Sequence, residues 1–415
     1  MTNSDTKNFS QNVSSSYHLE DRGKCNKNTC ANARNVPKLR FKGYNDEWKH
    51  YRLKDITTRI TRKNKKLESD RPLTISAIDG LIDQKDYFNR QIASKDMSGY
   101  YLLKNGEFAY NKSYSNGFPY GSIKRLNKYD KGALSTLYIC FSLQNICSDF
   151  LEKYFETDKW YKEIYMIAVE GARNHGLLNI SVEDFFNTMH KFPNIEEQEK
   201  IASFLTLIDK KIEKQKELVE LLKKYKRGLL SAIFSQKLRF KDDNGNNYPA
   251  WEEKRLENIL KIKHGKSQKE IECNNGEYPI LATGGEIGRT NSYLWDKPCV
   301  LIGRKGTIDK PQYMDTPFWT VDTLFYSEVF KENNAKYLYF LFNTINWKKY
   351  DESTGVPSLS AKTIERIKVK SSVNYAEQVA ISEFLSKFDE KILQEECILD
   401  KLQNYKKGLL QQMFI

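Results

Sequence analysis

The chain has 415 residues, 39% hydrophobic and 29% charged, and 67 Lys and Arg against 54 Asp and Glu give a formal net charge of +13. Such a length suggests two to four domains with real cores and excludes wholesale disorder. No apolar run approaches the ~18 residues of a membrane span, and the basic excess asks for an anionic partner, nucleic acid being the leading candidate.

Residues 1–36 are rich in Ser, Asn and Lys without apolar periodicity and read as a disordered arm. The arm starts without the apolar core of a signal peptide, so the protein is expected in the cytoplasm. Cys25 and Cys30 lie in it with only His18 as a further nearby ligand. Seven Cys in all, an odd number with no Cys-x-x-Cys, argue for reduced thiols; neither a disulfide framework nor a metal site is expected.

Residues 37–193 read as a first globular domain. It opens with Lys38-Leu39-Arg40-Phe41-Lys42, then Trp48, Leu53 and Ile56. Apolar runs at Leu73–Ile78, Glu107–Tyr110 and Leu137–Leu143 predict strands between Gly, Asn and Asp turns, and Ser148–Tyr165 predicts a helix. Three loops carry base- and phosphate-bonding side chains: Asn111, Lys112 and Tyr114; Tyr120, Ser122, Lys124 and Arg125; and Arg173, Asn174 and His175. Each residue alone is equally well read as a solvated surface group; the set is read as a DNA face.

Residues 194–236 predict one long helix. From Ile201 a 4-3-4-3 spacing runs through Ile201, Leu205, Ile208, Ile212, Gln215, Val219, Leu222 and Lys226. Sustained spacing of this kind makes a coiled-coil seam, and polar members fix its register. From 201 to 233 the helix would span about 48 Å at ~1.5 Å per residue, longer than the ~34 Å turn of B-DNA.

Residues 237–373 repeat the domain and 374–415 repeat the helix. Strands are predicted at Cys299–Ile302 and Thr320–Tyr326, and a helix at Ala335–Asn346. The second domain's candidate DNA contacts are Thr283, Arg289, Arg304, Lys305, Thr307 and Thr354; Arg304 and Lys305 stand in a Gly-flanked turn after a strand, which frees backbone N–H groups for phosphate. The second seam is Ile381, Leu385, Phe388, Ile392, Glu395, Leu399, Leu402 and Lys406.

The repeat is detailed. At an offset of 180, Glu197-Gln198 matches Glu377-Gln378, Asp209 matches Asp389, and Tyr225-Lys226 matches Tyr405-Lys406. Lys237-Leu238-Arg239-Phe240-Lys241 echoes the opening motif, and Trp251, Leu256 and Ile259 answer Trp48, Leu53 and Ile56. Gly306-Thr307-Ile308 is aligned with Gly121-Ser122-Ile123, and the shifting offset places about 20 extra residues between Ile82 and Gly121. The fold class is therefore α+β: two similar globular domains with a pseudo-twofold internal repeat, separated by two long helices that pair as an antiparallel coiled coil.

Catalytic signatures are wanting. The stretch Gly284–Thr290 is too short for a phosphate loop, Asn116-Gly117-Phe118-Pro119-Tyr120 departs from the Asn-Pro-Pro-Tyr of amino-methyltransferases, and the five His are scattered. No catalytic residue and no cofactor of its own are expected for this chain.

The order of domain and helix, Lys-Leu-Arg-Phe with a following Trp, Glu-Gln opening each helix, Tyr-Lys-x-Gly-Leu-Leu closing it, and Ile302-Gly303-Arg304-Lys305-Gly306-Thr307-Ile308 together resemble the specificity (S) subunits of bacterial type I restriction–modification enzymes over residues 36–415. The resemblance implies a non-catalytic subunit whose two target-recognition domains each read half of a split site in double-stranded DNA, with the helices as a ruler. It implies two methyltransferase (M) subunits docked on the helices, restriction and translocase (R) subunits beyond them, and S-adenosylmethionine, ATP and Mg in those partners. The alternative left by the residues alone is a coiled-coil scaffold that binds nucleic acid nonspecifically.

Overall fold

A computed structural model describes residues 19–21, 35–88, 94, 96–168 and 178–415. The chain divides into two compact units, Met1–Lys214 with Leu399–Ile415, and Gln215–Ile398. The helices at 194–236 and 374–415 are thus not bodies of their own: each is divided between the units.

In the first unit, Lys49–Arg52 pairs antiparallel with Met189–Phe192 and ties the two ends of the globular part together. One four-stranded antiparallel sheet runs Thr57–Arg59, Ile139–Leu143, Phe108–Asn111, Ser122–Arg125. A second runs Gly80–Asp83, Pro72–Ser76, Lys131–Leu134, Tyr101–Lys104, with its middle pair parallel. Ile60, Leu73, Leu103, Ala109, Leu134 and Cys140 pack together in a core that draws on both sheets. Within the arm read as disordered, Leu19–Asp21 forms a short strand on Leu39–Phe41; Cys25, Cys30 and His18 lie outside the described residues.

The helix predicted over Ser148–Tyr165 is two helices, Ser148–Phe155 and Tyr161–Ile167. Thr157 breaks it: its hydroxyl donates to the Tyr154 carbonyl at 2.6 Å and accepts from the Lys159 N–H at 3.2 Å, replacing the helical ladder locally.

The second unit repeats this plan. Glu252–Arg255 pairs with Lys368–Ser371. A four-stranded sheet runs Leu260–Lys263, Leu324–Val329, Cys299–Gly303, Gln312–Met314, and a three-stranded one runs Gly285–Thr290, Tyr278–Ala282, Trp319–Thr320. The strand Tyr101–Lys104 has no counterpart among the described residues of this sheet, so the insertion located from the sequence is the fourth strand and the segment leading to it. One alignment differs. Gly121 directly precedes the strand Ser122–Arg125, whereas Gly306-Thr307-Ile308 lies in a loop before Gln312–Met314. Both glycines have positive φ, and that shared turn chemistry produced the match.

The repeated motifs are structural fasteners. Arg40 and Glu197, both buried, form a bidentate ion pair with two 2.7 Å bonds. Arg239 meets Glu377 at 3.1 Å, and the other Glu377 oxygen accepts from the Trp251 indole N–H at 2.9 Å and the Ser372 hydroxyl at 2.6 Å. Each glutamine of the Glu-Gln pair accepts from the N-cap backbone N–H of a domain helix: Gln198 from Cys147 at 3.0 Å, Gln378 from Asn334 at 2.7 Å. The long helices themselves, Ile195–Phe234 and Tyr375–Met413, begin where Asn194 and Asn374 accept from the N–H three residues on.

The opposite end of the other long helix also enters each core. Phe414 packs on Trp48 and Phe150 in the first unit; Phe234 packs on Trp251 and Tyr337 in the second.

The helices run antiparallel. Lys406 bonds Asp209 at 2.6 Å in the first unit; Gln215 donates to Glu395 at 2.6 Å and Lys226 pairs with Asp389 in the second. Numbers thus rise along one helix as they fall along the other. Seam residues Ile201, Leu205, Ile208, Ile212, Val219, Ile381, Leu385, Ile392 and Leu402 are buried, while Leu222, Phe388 and Leu399 are half-buried. The polar seam pair read from the sequence, Gln215 and Glu395, meets directly.

Candidate nucleic-acid interface

In the second unit three loops converge. The Gly306 N–H donates to the Pro357 carbonyl at 2.8 Å, the Leu359 N–H donates to the Arg304 carbonyl at 2.9 Å, and Lys305 bridges to Ser358. A Cβ on Gly303 would stand 3.1 Å from the Thr283 methyl, so the turn at Thr283 rests against the same loop. Thr283, Arg304, Lys305, Thr307 and Thr354 therefore belong to one cluster. Its frame is Asp351, whose carboxylate accepts from the N–H groups of Ser358 and Ser353 and is held below the usual carboxylate range by those bonds. Lys305 and Thr354 are exposed. Arg304 bonds the Asp322 carbonyl at 3.2 Å through one guanidinium nitrogen.

Arg289 stands apart from this cluster. It lies at the far end of the hairpin and bonds the carbonyls of Gly276 at 2.8 Å and Glu277 at 2.9 Å, with Glu286 at 3.2 Å. Its guanidinium is used in holding that loop.

In the first unit the strand Phe108–Asn111 leads into an exposed loop with Tyr114 at its surface. Asn111 accepts from the Ser113 N–H at 3.0 Å and Lys112 donates to the Ile180 carbonyl at 3.0 Å, so both shape the loop. Tyr120 packs edge-on to Tyr161, and Ser122 is buried. Arg125 is consumed internally: it bonds Asn127 at 2.7 Å, Ser148 at 2.8 Å, Asp149 at 2.7 Å and Glu152 at 2.6 Å. Lys124 is half-buried, and desolvation lowers its pKa. Arg173, Asn174 and His175 lie outside the described residues.

Composition alone made Arg125, Arg289, Lys112 and Ser122 look like Lys305. What separates them is the fold: Arg125 and Lys112 meet acceptors from distant segments, Arg289 is held by the carbonyls of Gly276 and Glu277, and Ser122 is buried. Asp351 carries no positive-charge signature of a DNA contact in the sequence; its Asp-x-Ser spacing, a common side-chain-to-backbone turn, is the signal that marks it.

Residues 249–404 match the family model described as Type I restriction modification DNA specificity domain. Over that segment the chain is similar to a type I restriction modification DNA specificity domain. No curated protein matches the chain in sequence. Among solved structures, the type I restriction-modification system S subunit from M. genitalium is similar in fold: TM-score 0.57 and 18% identity, covering 92% of this chain and 99% of that one. A chain from a structure titled as the basis of complex assembly and conformational transition of the type I R-M system gives a TM-score of 0.56 at 14% identity, covering 88% of this chain and 97% of that one. The resemblance drawn from the repeated motifs holds, in the family match of the second half and in the fold along nearly the whole length. The loop cluster at Thr283, Arg304, Lys305 and Thr354 lies within the segment that matches this family model. Among the described residues no helix is long and apolar enough to cross a membrane.

Proposed function

We propose that this chain is the DNA-recognition subunit of a type I restriction–modification enzyme and does no chemistry itself. Each unit reads one half of a bipartite site, and the paired helices fix the number of base pairs between the halves. The helices dock two methyltransferase subunits, and restriction subunits join that complex; S-adenosylmethionine, ATP and Mg act there, in the cytoplasm.

The observation that carries this reading is a single chassis built twice with different loops. The Arg–Glu fasteners, the glutamine caps and the sheet order recur, whereas the exposed loop around Tyr114 and the cluster around Lys305 share no pattern. Frames that match while loops differ suit two readers of different words.

Exchange of residues 245–373 for those of a related chain tests it. The methylated motif in host DNA is then expected to change in one half only. A change in both halves, or in neither, would overturn the two-reader scheme. Equal competition by unrelated DNA would favour the scaffold that binds nucleic acid nonspecifically.

A further inference from the structure

The first unit contains a cleft of about 490 Å³ between the hairpin turn at Ala77–Gly80, the strand Ser122–Arg125 and the end of the helix Ser148–Phe155. That size lies in the range of small-molecule sites, roughly 300–1,000 Å³. Phe118, Trp160 and Tyr161 give it aromatic walls, and Lys124, Lys128 and Lys406 give it positive charge.

The charges are not equally free. Lys406 is paired with Glu156 and Asp209, each at 2.6 Å, and Glu152 is held by Arg125. Asp79 accepts from the Ser76 hydroxyl at 2.8 Å. Lys124 and Lys128 have no ion-pair partner among the described residues; the Lys124 ammonium stands 5.9 Å from the Phe118 ring centre. The Trp160 indole N–H is buried and finds no acceptor among the described residues. A buried unused donor such as the Trp160 N–H is costly, and the half-buried Lys124 and exposed Lys128 ammonium groups stand in the same cleft as the flat rings. The cleft asks for a ligand rich in acceptors, negatively charged and with a planar ring.

We infer that this cleft binds one nucleotide, its ring against the aromatic wall and its phosphate toward Lys124 and Lys128. Two sources share that chemistry: a free mononucleotide, and a nucleotide turned out of bound DNA. Only the second rests on the DNA-recognition reading above.

The test uses the full chain. Tryptophan fluorescence is titrated with adenosine 5′-monophosphate and, separately, with inorganic phosphate. Saturable quenching by the nucleotide is expected, with affinity about tenfold weaker in Lys124→Met, which keeps the alkyl stem, and about twofold weaker in Lys128→Ala, whose side chain is exposed. In parallel, duplexes carry 2-aminopurine at each position of the methylated motif in turn. Brightening at one position that disappears in Lys124→Met makes DNA the source; nucleotide binding without brightening makes the free nucleotide the source. The inference is overturned if neither signal occurs in the unaltered chain, if both variants behave like it, or if phosphate alone binds as tightly as the nucleotide. Loss of all duplex binding with nucleotide binding retained would sink the DNA-recognition reading and leave the cleft standing.

Discussion

Arg40 and Glu197 lie 157 residues apart in sequence and bond each other twice at 2.7 Å, both fully buried. The pair fastens the strand Leu39–Phe41 to the first turn of the long helix Ile195–Phe234. Removing one partner strands the other charge away from water. Arg40→Met or Glu197→Leu alone is expected to cost about 3–5 kcal/mol, and the two together distinctly less than their sum. Urea denaturation of the single and double variants measures this; additive losses would show that the two side chains do not act as a pair.

His190 sets an acid limit on the first unit. Thr188 gives its hydroxyl proton to the Phe185 carbonyl at 2.7 Å, so it accepts from Nε2–H of His190; Nδ1 then accepts from the Tyr154 hydroxyl at 2.8 Å. Burial pushes the imidazole down from 6.5 to about 4. An unfolded chain takes up this proton below about pH 6.5, and the folded one resists until about pH 4. The stabilisation is therefore complete above pH 6.5 and lost as pH falls to about 4, a change on the order of 3 kcal/mol. Melting curves across that window should slope less in His190→Gln; an identical slope would refute the assignment.

Arg125 and Lys305 should fail in different ways. Lys305→Ala is expected to weaken DNA binding and lower the salt dependence of the affinity by about one counterion. Arg125→Ala removes bonds to Asp149 and Glu152 and is expected to cost about 1–3 kcal/mol of stability with the salt slope unchanged. Binding isotherms at several salt concentrations, with denaturation curves beside them, separate the two.

Gly121 and Gly306 share a positive φ, 77° and 84°, but not their surroundings. A Cβ at Gly121 would meet the Asn111 carbonyl oxygen at 2.0 Å, whereas at Gly306 the nearest atom would be 3.7 Å away. Gly306→Ala is expected to cost about 1–2 kcal/mol from its backbone angle, and Gly121→Ala clearly more, because the strand end must shift. Comparing their melting temperatures tests the ordering.

Much of the fold is legible in the sequence because periodicity and repetition are physical signals. The seam residues follow from their spacing, and the apolar runs at Cys299–Ile302 and Leu137–Leu143 coincide with core strands at Cys299–Gly303 and Ile139–Leu143. The insertion follows from a changed offset. The break at Thr157 was not legible, since it depends on one hydroxyl choosing the backbone over solvent. Nor was the difference between Arg125 and Lys305, which rests on acids more than twenty residues away. The Lys-Leu-Arg-Phe and Glu-Gln motifs were visible as repeats, but only the three-dimensional arrangement reveals that each fastens the other.

The ring of Phe414 closing over Trp48 has a consequence for the order of synthesis. At ~5–20 residues per second, it leaves the ribosome on the order of tens of seconds after its partner. The second unit is contiguous, so its chain emerges complete while the first still waits with Trp48 and Phe150 uncovered. The unit whose synthesis starts first is completed after the other, and the nascent chain carries an open apolar surface until the helix Tyr375–Met413 arrives.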